Sequence, residues 1–254
     1  MKLLDITFDL ETTSLSANAA ILQIGAVAWD RENRNTPFIV SKKDEGDTFF
    51  LYNVALNGQF VGGCDFDRDT QEWWQEQDEK VKQTLNGKSD TVEKSIGDFF
   101  GYIDRLKKST NADEVNLWCQ GPDTDIAILK SAMSRFMGVK LHDFPIEHTR
   151  FRDARTFVLE GGLAYAIVCA RRNRTGRTGG YLFGVPKNEW CAIKNEWVKN
   201  PNMVYKYIPE IPKETTDILN SLVSGGTHNA LCDAIRSTWN VWCIMNQYIP
   251  TDKD

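Results

Sequence analysis

An apolar run rich in strand formers occupies Leu3 to Leu10, and a second follows a short polar loop at Ala20 to Asp30. Shorter runs follow at Thr36 to Val40 and Phe49 to Val54, and Arg31-Glu32-Asn33-Arg34-Asn35 supplies turn material, so early strands in hairpin succession are expected. The period then changes. A helix is expected to open near Asp69, with Glu72 completing a capping-box-like start, and to run through Trp73-Trp74 to about Leu85. Val92, Ile96, Phe99, Phe100, Ile103 and Leu106 recur at helical spacing and predict a buried face from about Thr91 to Lys107. Val115 to Cys119 reads as a short buried strand, and Ile126, Leu129, Ala132, Met133, Phe136 and Met137 mark the inner face of the helix after it. The stretch from about residue 161 to 212 carries most of the remaining Gly, Pro and Arg and is expected to be an insertion within a single domain spanning 1–254. A last helix is expected from about Asn229 to Tyr248, with Leu231, Ile235, Trp242 and Met245 facing inward.

A chain of 254 residues can bury one good core, and its apolar runs meet charges well before the ~18 residues a membrane span needs. Met1-Lys2-Leu3-Leu4-Asp5 lacks a signal-peptide layout, so a soluble, cytoplasmic protein is expected. The six cysteines show no Cys-x-x-Cys pairing and several sit in apolar segments, which predicts reduced thiols rather than a zinc site or a disulfide framework. The net charge of -5 argues against a broadly basic nucleic-acid coat. It leaves room for an enzyme that holds phosphates through bound cations and one local basic strip. Arg171, Arg172, Arg174 and Arg177 form such a strip in what reads as a loop or hairpin tip, either a phosphate-contacting arm or a solvated loop.

Asp9 and Glu11 sit at the end of the first strand pattern, two apart and therefore on one face. Two ionised carboxylates a few ångströms apart raise each other's pKa, and a divalent cation relieves the repulsion. Acidic-x-acidic spacing also occurs at Glu45/Asp47, Asp65/Asp67, Asp67/Asp69, Glu76/Asp78 and Asp123/Asp125, mostly in turn-like segments, so context must select among them. Asp65, Asp67, Asp69 and Glu76 imitate a calcium loop, but Thr70 stands where the sharp turn requires Gly. Asp125 opens the helix that follows the strand Val115 to Cys119, and His228-Asn229-Ala230-Leu231-Cys232-Asp233 places a histidine just before the last helix and an aspartate in its first turns. Strand ends and the helix starts they feed are where α/β folds build sites.

Phe8-Asp9-Leu10-Glu11-Thr12-Thr13, Leu117 to Asp125 and His228 to Asp233 together resemble the three motifs of the DEDDh superfamily of 3′-to-5′ exonucleases. The sequence is most similar to the exodeoxyribonuclease VIII-like branch, which includes phage exonuclease A and the ribonuclease AS type. That branch also carries a Trp-Trp pair after a Thr, here Thr70, Trp73 and Trp74, and an Arg-Asp-x-Arg-Thr segment, here Arg152 to Thr156. The resemblance implies an RNase H-like α/β fold: a mixed five-stranded sheet, its first three strands antiparallel, flanked by helices. It further implies two Mg²⁺ or Mn²⁺ ions held by Asp9, Glu11, Asp125 and Asp233, and His228 as general base. Two cations ~3.5–4 Å apart would neutralise a phosphodiester, activate water and stabilise the leaving oxygen.

Thr124 stands where family members often have an aromatic residue, so Asp123 remains an alternative to Asp125 and is otherwise a helix-capping candidate. Thr12, Trp73, Trp74 and Arg155 are candidate substrate contacts, the indoles as base platforms. Adjacent helical residues point ~100° apart, so at least one indole is expected in the core. Asp153 and Arg155 read either as supports of the site or as a structural ion pair, and His142 and His148 as surface or structural residues. The implied activity is metal-dependent release of 5′-nucleoside monophosphates from a free 3′ end. Likeness to phage exonuclease A tilts the expected substrate to single-stranded DNA, with RNA as the alternative. A noncatalytic nucleic-acid-binding module and a polymerase-type proofreading domain are the competing classes, and a homo-oligomer is plausible by analogy.

Overall fold

Ten residues of extended chain, Leu3–Thr12 (β1), form the strand about which the sheet of the computed structural model is built. The structure describes residues 2–38, 48–175, 187–222 and 228–249. β1 pairs antiparallel with β2 (Ile21–Trp29), which pairs antiparallel with β3 (Phe49–Val54). Of the expected strand at Thr36 to Val40, Phe38 makes one antiparallel bridge to Trp29 and residues 39–40 lie outside the described residues. Three short helices follow: α1 (Leu56–Val61), α2 (Arg68–Glu76) and α3 (Glu79–Leu85). The single helix expected from Asp69 to Leu85 is thus two, and its start is two residues earlier, because Asp67 is the N-cap, accepting from the Thr70 N–H at 3.0 Å. Asp78 caps a new helix by accepting from the Lys80 N–H at 2.8 Å, which ends the first.

After a two-residue strand β4 (Ser89–Asp90), α4 (Val92–Ser109) runs where its apolar spacing places it, with Thr91 as N-cap. β5 (Glu114–Cys119) returns parallel to β1, and α5 (Asp125–Met137) leads toward β6 (Phe151–Asp153), which lies parallel to β5. The sheet order is β4-β3-β2-β1-β5-β6. Five strands follow the expected RNase H-like layout with the first three antiparallel, and the short β4 makes a sixth among the described residues. Asp153 caps α6 (Ala154–Thr175) through the Thr156 N–H at 3.1 Å. α7 (Lys187–Lys199), a 3₁₀ segment at Pro201–Tyr207, α8 (Lys213–Leu222) and α9 (Ala230–Asn246) complete the chain.

Two apolar layers sandwich the sheet. Leu4, Ile6, Phe8 and Leu10 of β1 pack with α4 and α5 on one face. Trp29, Trp118 and Val27 pack with α6, α9 and the 3₁₀ segment on the other. Gly161 and Gly162 read as punctuation in the sequence, yet both lie inside α6, and a Cβ on Gly162 would come within 2.7 Å of Val204. Close approach of the 3₁₀ segment, rather than a chain break, explains that glycine. Arg171, Arg172 and Arg174 therefore lie in the last turns of α6, which corrects the expected loop, while Arg177 and Tyr181 to Val185 lie outside the described residues. None of the described helices is long and apolar enough to cross a membrane.

Alternation along β1 puts Asp5, Thr7, Asp9 and Glu11 on the face opposite Leu4, Ile6, Phe8 and Leu10. Asp5, 1% exposed, is held by the Arg31 guanidinium, the Asn116 amide at 3.1 Å and the Trp118 indole at 2.8 Å, and Thr7 accepts from the Trp29 indole at 3.0 Å. Removing one partner of a buried ion pair leaves an uncompensated charge. Arg31→Met is therefore expected to lower unfolding stability by about 3 kcal/mol, measured by urea denaturation; an unchanged midpoint would show that the pair carries no such weight.

Candidate metal centre

The second half of that polar face differs from the first. Asp9 and Glu11 have no cationic side chain of their own sheet bonded to them, and α9 brings Asp233 over them. One carboxylate oxygen from each of Asp9, Glu11 and Asp233 lies within 4.8 Å of the others. Asp125, buried at the first turn of α5, flanks this set, and its charge raises the pKa of Asp9 and of Glu11. Asp123 is exposed and does not enter the shifts of those two groups. Thr124, not Asp123, holds the N-cap position of α5, without a side-chain capping bond, which removes the capping role expected of Asp123.

Two features of β2 allow α9 to reach the sheet. Gly25 stands opposite Asp9, and a Cβ there would fall 2.1 Å from the Leu231 nitrogen and 2.2 Å from the Ala230 carbonyl carbon. Only a glycine admits the helix backbone so closely. Gln23 stands opposite Glu11, is fully buried, and accepts the Ala230 N–H at 3.0 Å while donating to Asn53 at 2.7 Å. Asn229, also fully buried, caps the helix by accepting from the Leu231 and Cys232 N–H groups. The fourth residue of α9 is then Asp233, positioned over β1. Sequence reasoning missed Gln23, Gly25 and Arg236; a lone Gly in a strand pattern was the available signal for the close approach.

The electrostatics follow from the crowding. Burial first, then the charges of Asp125, Glu11 and Asp233, hold Asp9 well above the ordinary carboxylate range. Burial, with Asp233 and Asp125, pushes Glu11 up to about 8. Burial pushes Asp125 up to about 7 against the opposing pull of Arg155. Asp233 is also raised by burial, opposed by Arg236 and His228. Its two oxygens are engaged, Oδ1 by Arg236 at 2.8 Å and Oδ2 by the His228 backbone N–H at 3.1 Å. Among the described residues, Glu11 Oε1 is buried without a hydrogen-bond partner. A buried oxygen without a partner in a cluster of three carboxylates flanked by Asp125 fits a hard divalent cation, which prefers such oxygens.

The remaining candidates divide. His228 precedes α9 with a φ of 64°, and its ring meets the Trp73 ring edge-on at 4.7 Å. Trp74 donates its indole N–H to the Thr12 carbonyl at 3.0 Å, while the Thr12 hydroxyl donates to the Ser14 carbonyl at 2.8 Å. Neither indole enters the core, because α2 buries none of its residues; that corrects the expectation for one of them. Arg155 lies close enough to lower the Asp125 pKa. Arg172 sits beside Cys169 with one guanidinium nitrogen buried and is not among the groups that shift the four carboxylates. The side chains of Arg171 and Arg174 lie outside the described residues.

The family model described as the 3′-5′ exoribonuclease Rv2179c-like domain matches residues 5–245, and the chain belongs to that family. The description of that family is of a 3′-5′ exoribonuclease domain. No curated protein matches the sequence. Among solved structures, cell-death related nuclease 4 (CRN-4) is similar at 16% identity and a TM-score of 0.43, over 96% of this chain and 62% of that one. The chain spans under two thirds of that nuclease's length.

A carboxyl raised in the folded state binds more protons there than in the unfolded chain, so stability falls as pH rises from its ordinary to its raised value. For Glu11 that interval runs from 4.5 to about 8, and for Asp125 from 3.8 to about 7. In chelator, the melting temperature is expected to fall between about pH 6 and about pH 8, and Mn²⁺ is expected to restore it; a flat profile in both conditions would exclude the cluster as a cation site. Gly25→Ala is expected to cost about 2 kcal/mol by overpacking α9 against β2 and to weaken Mn²⁺ binding, read by calorimetry.

Proposed function

We propose that the protein is a DEDDh-type 3′-to-5′ exoribonuclease that uses two divalent cations, Mg²⁺ or Mn²⁺, held by Asp9, Glu11, Asp125 and Asp233. The observation that carries this reading is the meeting of carboxylates from residues 9, 11 and 233 within 4.8 Å, with Asp125 beside them and an orphan oxygen on Glu11. When bound, the ions supply charge neutralisation at the scissile phosphate and stabilise the departing oxygen. The carboxylates orient the phosphate by fixing where that positive charge sits. An imidazole nitrogen of His228 takes the proton of the attacking water. The water oxygen bonds to phosphorus as the P–O3′ bond breaks; the 3′ oxygen of the shortened strand is protonated, and the terminal residue leaves as a 5′-nucleoside monophosphate. Arg155, beside Asp125, is suited to a phosphate oxygen of the strand.

RNA is the substrate favoured by the family description, over the single-stranded DNA expected from the sequence. The basic residues that serve it are few and local, consistent with the net charge of -5. A binding module without turnover has no use for a full set of four carboxylates and a histidine.

Digestion of matched end-labelled RNA and DNA oligonucleotides with Mg²⁺, Mn²⁺ or chelator tests polarity, sugar and metal together. Shortening of RNA from the 3′ end with release of 5′-monophosphates is expected, abolished by chelator. Asp9→Asn is expected to lower kcat/KM by about a thousandfold, equivalent to roughly 4 kcal/mol of transition-state stabilisation. Undiminished turnover by that variant would reject the site.

A further inference from the structure

We infer that Trp73 is a positioning residue: its ring holds the His228 imidazole in place, and α2 exists at this edge of the site to carry it. The inference rests on the reading of His228 as the proton acceptor. It replaces the base-stacking role that the exposed indole suggests from sequence.

α2 is not a core element. None of its residues is buried, and what secures it is attachment to the chain leaving β1. The Asp67 N–H donates to the Thr13 carbonyl at 3.0 Å, and the Trp74 indole N–H donates to the Thr12 carbonyl at 3.0 Å. Thr12 is the residue next to Glu11, so the helix is pinned one residue from the carboxylate cluster. Trp74 then supports its neighbour edge-on, with ring centroids 4.9 Å apart and planes at 77°. Trp73 in turn meets the His228 ring at 4.7 Å and 90°. The chain of contacts runs from the Thr12 main chain through two indoles to the imidazole.

His228 needs such support. Its φ of 64° lies in the left-handed region, which is uncommon for a non-glycine residue though His is among those that enter it. Its backbone is fixed by the N–H donated to Asp233 Oδ2 at 3.1 Å, but among the described residues no hydrogen bond orients the imidazole itself. A perpendicular aromatic neighbour restricts the ring by packing rather than through a hydrogen-bonding partner.

The experiment uses the full-length protein with isotope-labelled histidine. The chain has three histidines, and His228→Ala identifies the ring signals of His228 against those of His142 and His148. Without substrate, Trp73→Ala is expected to shift the His228 ring signals, and with RNA to lower kcat about tenfold while KM stays within about twofold. Trp73→Phe, which keeps an aromatic edge, is expected to restore both signals and kcat most of the way. A raised KM with kcat unchanged and the His228 signals unmoved would overturn the inference and return Trp73 to the role of a base platform. Wild-type protein that cleaves neither RNA nor DNA would overturn the nuclease reading itself, and the ring signals would then decide alone whether Trp73 holds the imidazole.

Discussion

Like charges gathered in a poorly hydrated space are the constraint on which this structure turns. Asp5, Thr7, Asp9 and Glu11 share one face of β1, and the protein treats the two halves of that face differently. Arg31, Asn116, Trp118 and Trp29 saturate the first half, which becomes an ordinary part of the interior. The second half receives two more carboxylates instead of a cationic side chain buried against it. Such an arrangement raises every pKa in it, and the fold tolerates the cost because the sheet and its two apolar layers are already complete without those residues. Structure elsewhere finances a strained site.

Most of the architecture was legible because its signals are local or periodic. The spacing of Val92, Ile96, Phe99 and Ile103 located α4, and the Asp9/Glu11 pair at a strand end located half of the cluster. The errors arose where short-range chemistry competes. Asp67 and Asp78 each cap a helix, so one apolar pattern is cut into α2 and α3, and no periodicity reveals which of several aspartates wins. Gly161 and Gly162 looked like chain breaks, and the helix continues through them because Val204 requires the space. Arg171, Arg172 and Arg174 read as part of a loop because Gly and Thr crowd that stretch, yet the helix runs on to Thr175.

The convergence of Asp125 and Asp233 on Asp9 was legible only through ordered motifs, since pairing across more than a hundred residues leaves no local trace. What sets their approach is still less visible. Gly25 and Gln23 look like unremarkable members of a buried strand, yet one admits the backbone of α9 and the other holds its first N–H. Arg236 became relevant through a helical spacing of three from Asp233, a relation too common to single out beforehand.

The hydrogen bond from Ala230 to Gln23 joins positions 207 residues apart. During synthesis the sheet strands and their first helical layer emerge long before α9, which carries Asp233. A ribosome-bound intermediate therefore holds Asp9, Glu11 and Asp125 before Asp233 and His228 have emerged. The carboxylate cluster is completed only when α9 docks, a delay imposed by chain order alone.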